Sequence, residues 1–204
     1  MSRSPNNKHQ QKSEETRRKL LKAARRVFAR DGFEAARLED IAADAGYTRG
    51  AFYANFSSKE DLFFALLEQQ AYQHREKLKT LLEKCADPAD KTAAIRDYYV
   101  KRSADRGWVM LMLEFKLFAV RHSRHRAKLA SAHRRVRASL KWKLLDDILP
   151  AHVRQDACEE GRWAALEANL NGLVLEHAYD PKRITEEQVR STLKRVFELL
   201  VGQE

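Results

Sequence analysis

Apolar positions recur along this chain at three- and four-residue spacing from about residue 13 to residue 201, the period of an amphipathic helix. No stretch sustains the alternation of apolar and polar positions that marks a half-buried strand, so no sheet is expected. Leu20, Leu21, Ala24, Val27 and Phe28 predict a first helix over about 13–30, ended by Asp31-Gly32. Leu38, Ile41, Ala42 and Ala45 predict a short second helix, with Glu39 and Asp40 in its first turn, where negative charge suits the helix dipole. Gly46 follows its last apolar position and can take the left-handed conformation that opens a sharp turn. Thr48 is a good N-cap for a third helix, and Phe52 and Phe56 supply its inward face. Ala42 is small enough for the two helices to cross closely. Helix, glycine turn and helix make a helix-turn-helix.

Beyond it, Ser57 and Glu60 fit a capping box for a long helix from Ser58 to about Lys84, carrying Leu62, Phe63, Leu66, Leu67, Leu78, Leu81 and Leu82. Asp87-Pro88 starts the next helix, with Ile95, Tyr98, Tyr99 and Arg102 along it. Gly107 breaks the chain before a helix from Trp108 to Phe118 that is apolar all round except at Glu114 and Lys116, so burial is expected. A basic helix over about 125–149 holds Leu129, Val136, Leu140, Leu144, Leu145 and Ile148 inside and ends at Pro150. Over about 155–178, Trp163, Leu166, Leu170, Leu173, Val174 and His177 form one stripe. Ala164, Ala165, Ala168, Gly172, Leu175 and Tyr179 form a second, richer in small residues. Asp180-Pro181 leads to a last helix, about 185–201, with Val189, Leu193, Val196, Phe197 and Leu200. The expected fold is all-α, with about nine helices.

The second helix of the turn presents Arg49, Gly50, Ala51, Tyr53, Ala54 and Asn55 outward. Arg49 can donate two hydrogen bonds to a guanine edge or one to a phosphate. Gly50 and Ala51 leave room for close approach to bases, and Ala51 can touch a thymine methyl. Tyr53 and Asn55 can donate to phosphates and fix the register. Lys59 would point at the sugar-phosphate backbone. Residues 1–60 hold 13 Lys+Arg against 8 Asp+Glu, the electrostatic footprint of a nucleic-acid binder.

Phe28, Gly32, Phe33, Ile41, Ala42, Gly46, Thr48-Arg49-Gly50, Tyr53, Phe56, Lys59, Glu60, Leu62 and Phe63 resemble the N-terminal signature of TetR-family transcriptional regulators over about residues 13–67. The resemblance implies a homodimeric, all-helical repressor released from DNA by a small ligand. It implies that Thr48, Tyr53, Asn55 and Lys59 touch phosphates and that Arg49, Gly50 and Ala51 face bases. Two positions depart from the pattern. Family members usually place Ser or Thr at the position of Arg37, which can reach a phosphate but cannot cap the second helix. They often place His at the position of Asn55, which keeps a donor but not the ring. Asn171-Gly172-Leu173 and Tyr179-Asp180-Pro181 resemble the family's dimer helix and its exit.

The resulting organisation is a flexible basic arm over 1–12, a DNA-binding domain over 13–57, and a ligand-binding and dimerisation domain over 58–204. A helix with two apolar faces has two partners. The second stripe, namely Ala165, Ala168, Gly172, Leu175 and Tyr179, with Val189, Leu193, Val196 and Phe197 of the last helix, is the candidate dimer interface; a monomer with a large helical core is the alternative. Two reading helices of a dimer must enter successive major grooves about 34–36 Å apart, which calls for a near-palindromic operator. Tyr98, Tyr99, Trp108, Met112, Phe115, Phe118, Trp142, Trp163 and Asn169 are candidate lining for the pocket of an unknown small-molecule effector, with core packing as the competing explanation. Glu114, on a helix expected to be buried, needs a partner, and an internal Arg is favoured over a cationic ligand.

The net charge of +10 comes from one stretch: residues 116–143 hold ten Lys+Arg and no acid, and the remainder balances. A solvated helix face is the ordinary explanation; an acidic ligand or a second DNA contact is the sharper one. No apolar run is long enough to cross a membrane, and no secretory leader is expected. Cys85 and Cys158 are no disulfide framework; a cytoplasmic location is expected. His122, His125 and His133 stand among Arg and Lys, which repel a cation, so neither metal nor cofactor is expected. No catalytic constellation is evident, and the chain is not expected to be an enzyme. The alternative to a DNA-binding regulator is a helical small-molecule or partner-binding protein that no longer reads DNA.

Overall fold

The computed structural model describes residues 5–138 and 159–201. Among them are nine α-helices and no strand: α1 (Pro5–Ala35), α2 (Leu38–Asp44), α3 (Arg49–Tyr53), α4 (Lys59–Leu82), α5 (Pro88–Lys101), α6 (Arg106–Arg121), α7 (Ser123–Ala138), α8 (Glu159–Tyr179) and α9 (Glu186–Val201), with a 3-10 turn at Arg102–Ala104. The chain forms two compact units. The first comprises residues up to Ala71 together with Glu114–Val136; the second comprises Tyr72–Leu113 and the described residues after Val136. Three helices, α4, α6 and α7, therefore contribute residues to both.

In the first unit, α1 begins at Pro5 rather than near Ser13. Residues 5–12, expected as part of a flexible arm, continue the helix. They contain no Gly and no further Pro, so each added residue gains a backbone hydrogen bond at little cost once the helix is nucleated. The first four residues of the expected arm lie outside the described residues. The buried face of α1 is the predicted one: Leu20, Leu21, Ala24, Val27 and Phe28 are all buried. At Gly32 the backbone turns to φ 79 and ψ 166, a break inside α1. Phe33 can then turn inward. Its ring is fully buried, 5.3 Å from Phe63 and Phe115 and 5.0 Å from Phe118, with Phe63 stacked on Phe115 at 4.0 Å.

Glu114 joins this cluster by a route the sequence did not suggest. Its partner is a backbone amide, not an arginine: the Phe33 N–H donates to Glu114 Oε2 at 2.7 Å. The carboxylate lies so close to Gly32 that a Cβ there would meet Oε2 at 2.7 Å. Burial of α6 is also less uniform than expected. Val109, Leu111, Met112 and Phe115 are buried, but Leu117 and Val120 are 54% and 65% exposed. The basic helix is described only as far as Ala138, with Leu129 and Ala132 inward; its expected continuation to residue 149 lies outside the described residues.

In the second unit, Leu166, Leu170 and Val174 of α8 pack with Val189, Leu193, Phe197 and Val201 of α9, with Ile95 and Tyr99 of α5, and with Leu82 and Val109. Tyr99 donates its hydroxyl proton to the Leu166 carbonyl at 2.6 Å, and its burial pushes the phenol well above its ordinary pKa. The caps explain where these helices start. Asp87 accepts from the Asp90 N–H at 2.8 Å ahead of Pro88. Asp105 accepts from the Trp108 N–H at 3.2 Å, so the break before α6 falls at 102–105 and Gly107 lies inside its first turn. Thr185 and Gln188 cap α9 reciprocally, at 3.2 and 2.8 Å.

Gly32→Ala should cost about 1–3 kcal/mol, because a Cβ is disfavoured at positive φ and collides with Glu114. Glu114→Ala should cost a similar amount by leaving the Phe33 N–H without its acceptor. Both act on one contact, so denaturant midpoints of the double variant should show less than the sum.

Candidate nucleic-acid interface and ligand cavity

The turn between α2 and α3 is built as its residues require. Gly46 takes φ 75, and nothing stands within 4 Å of where its Cβ would be, so backbone conformation alone favours glycine there. Thr48 caps α3, its hydroxyl accepting from the Ala51 N–H at 3.3 Å. Phe52 and Phe56 are buried and Ala42 is 1% exposed. At Arg37 the backbone is extended and no side-chain cap bond forms for α2, as expected for arginine in a capping position. The cap of α4 lies one residue later than predicted. Ser58, not Ser57, accepts from the Asp61 N–H at 3.1 Å, and Asp61, not Glu60, reaches back to the Ser57 N–H at 2.9 Å.

Two arginines of α1 brace this hairpin. Arg26 donates to Asp44 Oδ2 through Nε at 3.0 Å, tying α1 to the end of α2. Arg17 donates to the Asn55 carbonyl at 3.1 Å and lies 4.3 Å from the Phe56 ring centre. Part of the basic character of α1 is therefore structural, a role its composition alone did not reveal.

The candidate DNA-contacting residues divide by how free their donors are. Arg37, Thr48, Arg49, Gly50 and Tyr53 are exposed, and Ala51 is partly so. Arg49 pairs with Glu39 Oε1 at 3.0 Å and donates to the Tyr53 hydroxyl at 3.4 Å. Asn55 is partly buried and donates from Nδ2 to the Ala51 carbonyl at 2.8 Å, using one of its two amide protons. Lys59 is partly buried too. Its ammonium donates to the carbonyls of Glu34 and Ala36 at 2.7 and 3.2 Å and stands 5.0 Å from the Phe33 ring centre. Burial pushes its pKa below the ordinary lysine range. Two of its three donors thus satisfy carbonyls at the end of α1, leaving one for another partner.

The second unit holds a small cavity lined by His74, Arg102, Asp105, Trp108, Val109, Met112, Glu167, Leu170 and Asn171. Of the predicted lining, Trp108 and Met112 are present. Tyr98 pairs with His74. Tyr99 and Trp163 belong to the apolar core, and Phe115 and Phe118 to the aromatic cluster around Phe33. Asn169 is exposed and bonded to the Ala165 carbonyl, while Asn171, 5% exposed, supplies the amide in the wall. Trp142 lies outside the described residues. Aromatic residues alone do not mark the polar wall of the cavity. Glu167 and Asn171, four apart beside the Leu166–Leu170 stripe, were the available signal. The space open to a water centre is about 20 Å³, enough for a water molecule and far below a drug-sized ligand.

The two stripes of α8 differ in burial, and Trp163, Leu173, His177, Ala165 and Gly172 are partly buried. Leu166, Leu170 and Val174 are buried, while Ala164 and Ala168 are exposed, Leu175 is 40% and Tyr179 85% exposed, and Gly172 has nothing within 4 Å of a built Cβ. The predicted contribution of α9 needs correction. Val189, Leu193 and Phe197 are at most 2% exposed, and Val196 packs against the same core. An amphipathic helix with one stripe spends it on its own core. The large apolar residue that α9 exposes is Leu199, at 82%.

Two family profiles match the chain. Residues 20–66 match bacterial regulatory proteins of the tetR family, and residues 88–202 match the C-terminal part of BetI-type transcriptional repressors. The HTH-type transcriptional repressor NicS of Pseudomonas putida is 36% identical over 95 residues, 45% of each chain. The stretches matched in such curated relatives span 27% to 45% of their length. Among solved structures, the transcriptional regulator FadR of Bacillus subtilis, in complex with stearoyl-CoA, superposes with a TM-score of 0.67 at 20% identity, covering 91% of this chain and 98% of that one. A Saccharomonospora viridis protein described as a transcriptional regulator, in complex with choline, gives 0.66 at 19% identity, covering 94% and 100%. At these identities the likeness establishes the fold. With one profile covering more than half its length and the other covering the helix-turn-helix, the chain belongs to the TetR family of bacterial regulatory proteins.

Proposed function

We propose that this protein is a sequence-specific DNA-binding transcriptional regulator, a homodimeric repressor released from a near-palindromic operator by a small-molecule ligand. The observation that carries this reading is the outer face of α3. Arg49, Gly50 and Tyr53 are exposed on a helix whose inner face is locked by Phe52 and Phe56 and whose ends are held by the Thr48 cap and by Arg17. None of these three outward residues serves the core. Their chemistry suits a DNA groove: a guanidinium for a base edge or phosphate, a glycine for close approach, and a phenol for the backbone. Such a protein acts in the cytoplasm and is not an enzyme.

Dimerisation through α8 is part of the reading. Ala164, Ala168, Leu175 and Tyr179 of α8 are exposed, and a second copy would cover them. The ligand belongs in the cavity beside Trp108 and Asn171, where entry requires the wall to open. The similar proteins bind stearoyl-CoA and choline, two chemically unlike ligands, so similarity names no effector. A ligand acts only through differential affinity for the DNA-competent and released states.

In anisotropy titrations on the protein's own upstream region and on random duplex, Arg49→Ala should lose about 1–3 kcal/mol of discrimination. Lys59→Met should weaken both duplexes alike and also lower stability by about 1–3 kcal/mol, since it removes charged hydrogen bonds to the α1 carbonyls. Native binding that does not distinguish the two duplexes would favour a protein that no longer reads DNA. Light scattering should give twice the single-chain mass, and Leu175→Arg should return the single-chain mass; a native monomer at high concentration would sink the dimer.

A further inference from the structure

Glu39 suits the first turn of α2 by its charge, yet its carboxylate also serves another group. Oε1 lies 3.0 Å from Nη1 of Arg49. Nη2 of the same guanidinium donates to the Tyr53 hydroxyl at 3.4 Å, and its central carbon stands 5.5 Å from the Tyr53 ring centre. The side chains of Arg49 and Glu39 are 63% and 51% exposed, so the pair adds little to stability. What it does is restrict a long, flexible side chain on the reading face.

We infer that Glu39 is a positioning residue for sequence readout, holding the Arg49 guanidinium on the outer face of α3 so that a base edge, rather than any nearby phosphate, engages it. The inference rests on the reading of α3 as the DNA-reading helix. An unrestrained arginine pairs with any phosphate, and phosphate contacts carry no sequence information. A guanidinium has five N–H donors. Tyr53 accepts one on Nη2, and Glu39 holds Nη1 through an ion pair at 3.0 Å. Both terminal nitrogens keep N–H donors for a bidentate contact to guanine O6 and N7. The carboxylate also repels phosphate, so an approach not repaid by a base contact is disfavoured. That is specificity gained by penalising the wrong partner.

The test is selection from a randomised duplex library with the native chain, Arg49→Ala, Glu39→Gln and Glu39→Asp, alongside salt titrations on one fixed random duplex and thermal melting. Arg49→Ala identifies the base that Arg49 reads. Glu39→Gln should lower preference at that same base about two- to fivefold, the size of an exposed ion pair. It should also raise affinity for the random duplex and steepen its salt slope by about one phosphate, as the released Arg49 finds one. Glu39→Asp keeps the charge in the α2 first turn but is one methylene shorter. It should restore melting and leave the preference reduced. An unchanged preference in Glu39→Gln, or full recovery in Glu39→Asp, overturns the inference alone. A native chain that enriches no sequence overturns the reading of α3 and this inference with it.

Discussion

A helix that must stop inside a packed core leaves carbonyls without partners and a chain that has to change direction. At the end of α1 three groups from distant parts of the sequence resolve this. Gly32 supplies the positive φ, Glu114 accepts the Phe33 N–H, and Lys59 donates to the Glu34 and Ala36 carbonyls. Together they let Phe33 sit fully buried among Phe28, Phe63, Phe115 and Phe118. Only Ala36 and Arg37 separate α1 from the helix-turn-helix, so its starting point is set by this junction. The junction also accounts for a charge on an otherwise apolar stretch of α6.

From that point the reading helix is fixed by short-range chemistry. Arg26 anchors α2 through Asp44, Thr48 caps α3, and Arg17 holds the chain as it leaves α3. The basic residues of the first unit thus split into two groups. Arg17, Arg26 and Lys59 point at protein groups, while Arg37 and Arg49 stand on the surface, the latter steadied by Glu39. Net charge drew attention to the unit, but the division of labour among its cations decides which of them can act on DNA. The second unit follows another logic. There α8 buries Leu166, Leu170 and Val174 in the core it shares with α9 and leaves Ala164, Ala168, Leu175 and Tyr179 exposed.

Helix periodicity made most of this legible. The buried stripes of α1, α2, α8 and α9, the Gly46 turn and the Thr48 cap all follow from spacing and local backbone preference, which neighbours in sequence determine. What stayed hidden depends on residues far apart in the chain. The partner of Glu114 lies 81 residues away and is a backbone amide, a group with no side-chain signature. The carbonyl partners of Lys59 are hidden for the same reason: they come from the end of α1, beside Phe33, and they leave one donor for a phosphate. Aromatic content does not mark the cavity, because Phe115 and Phe118 belong to the cluster around Phe33. The α9 stripe could serve a partner or its own core, and periodicity does not say which.

Hydroxyl-radical footprinting on a duplex selected by the native chain tests the central claim most directly, because it reports both DNA contact and the spacing of two reading helices. The account predicts two protected patches on one face of the duplex, centred about 10 base pairs or one helical turn apart and related by approximate two-fold symmetry. A single protected patch, or protection without a fixed position, would contradict it.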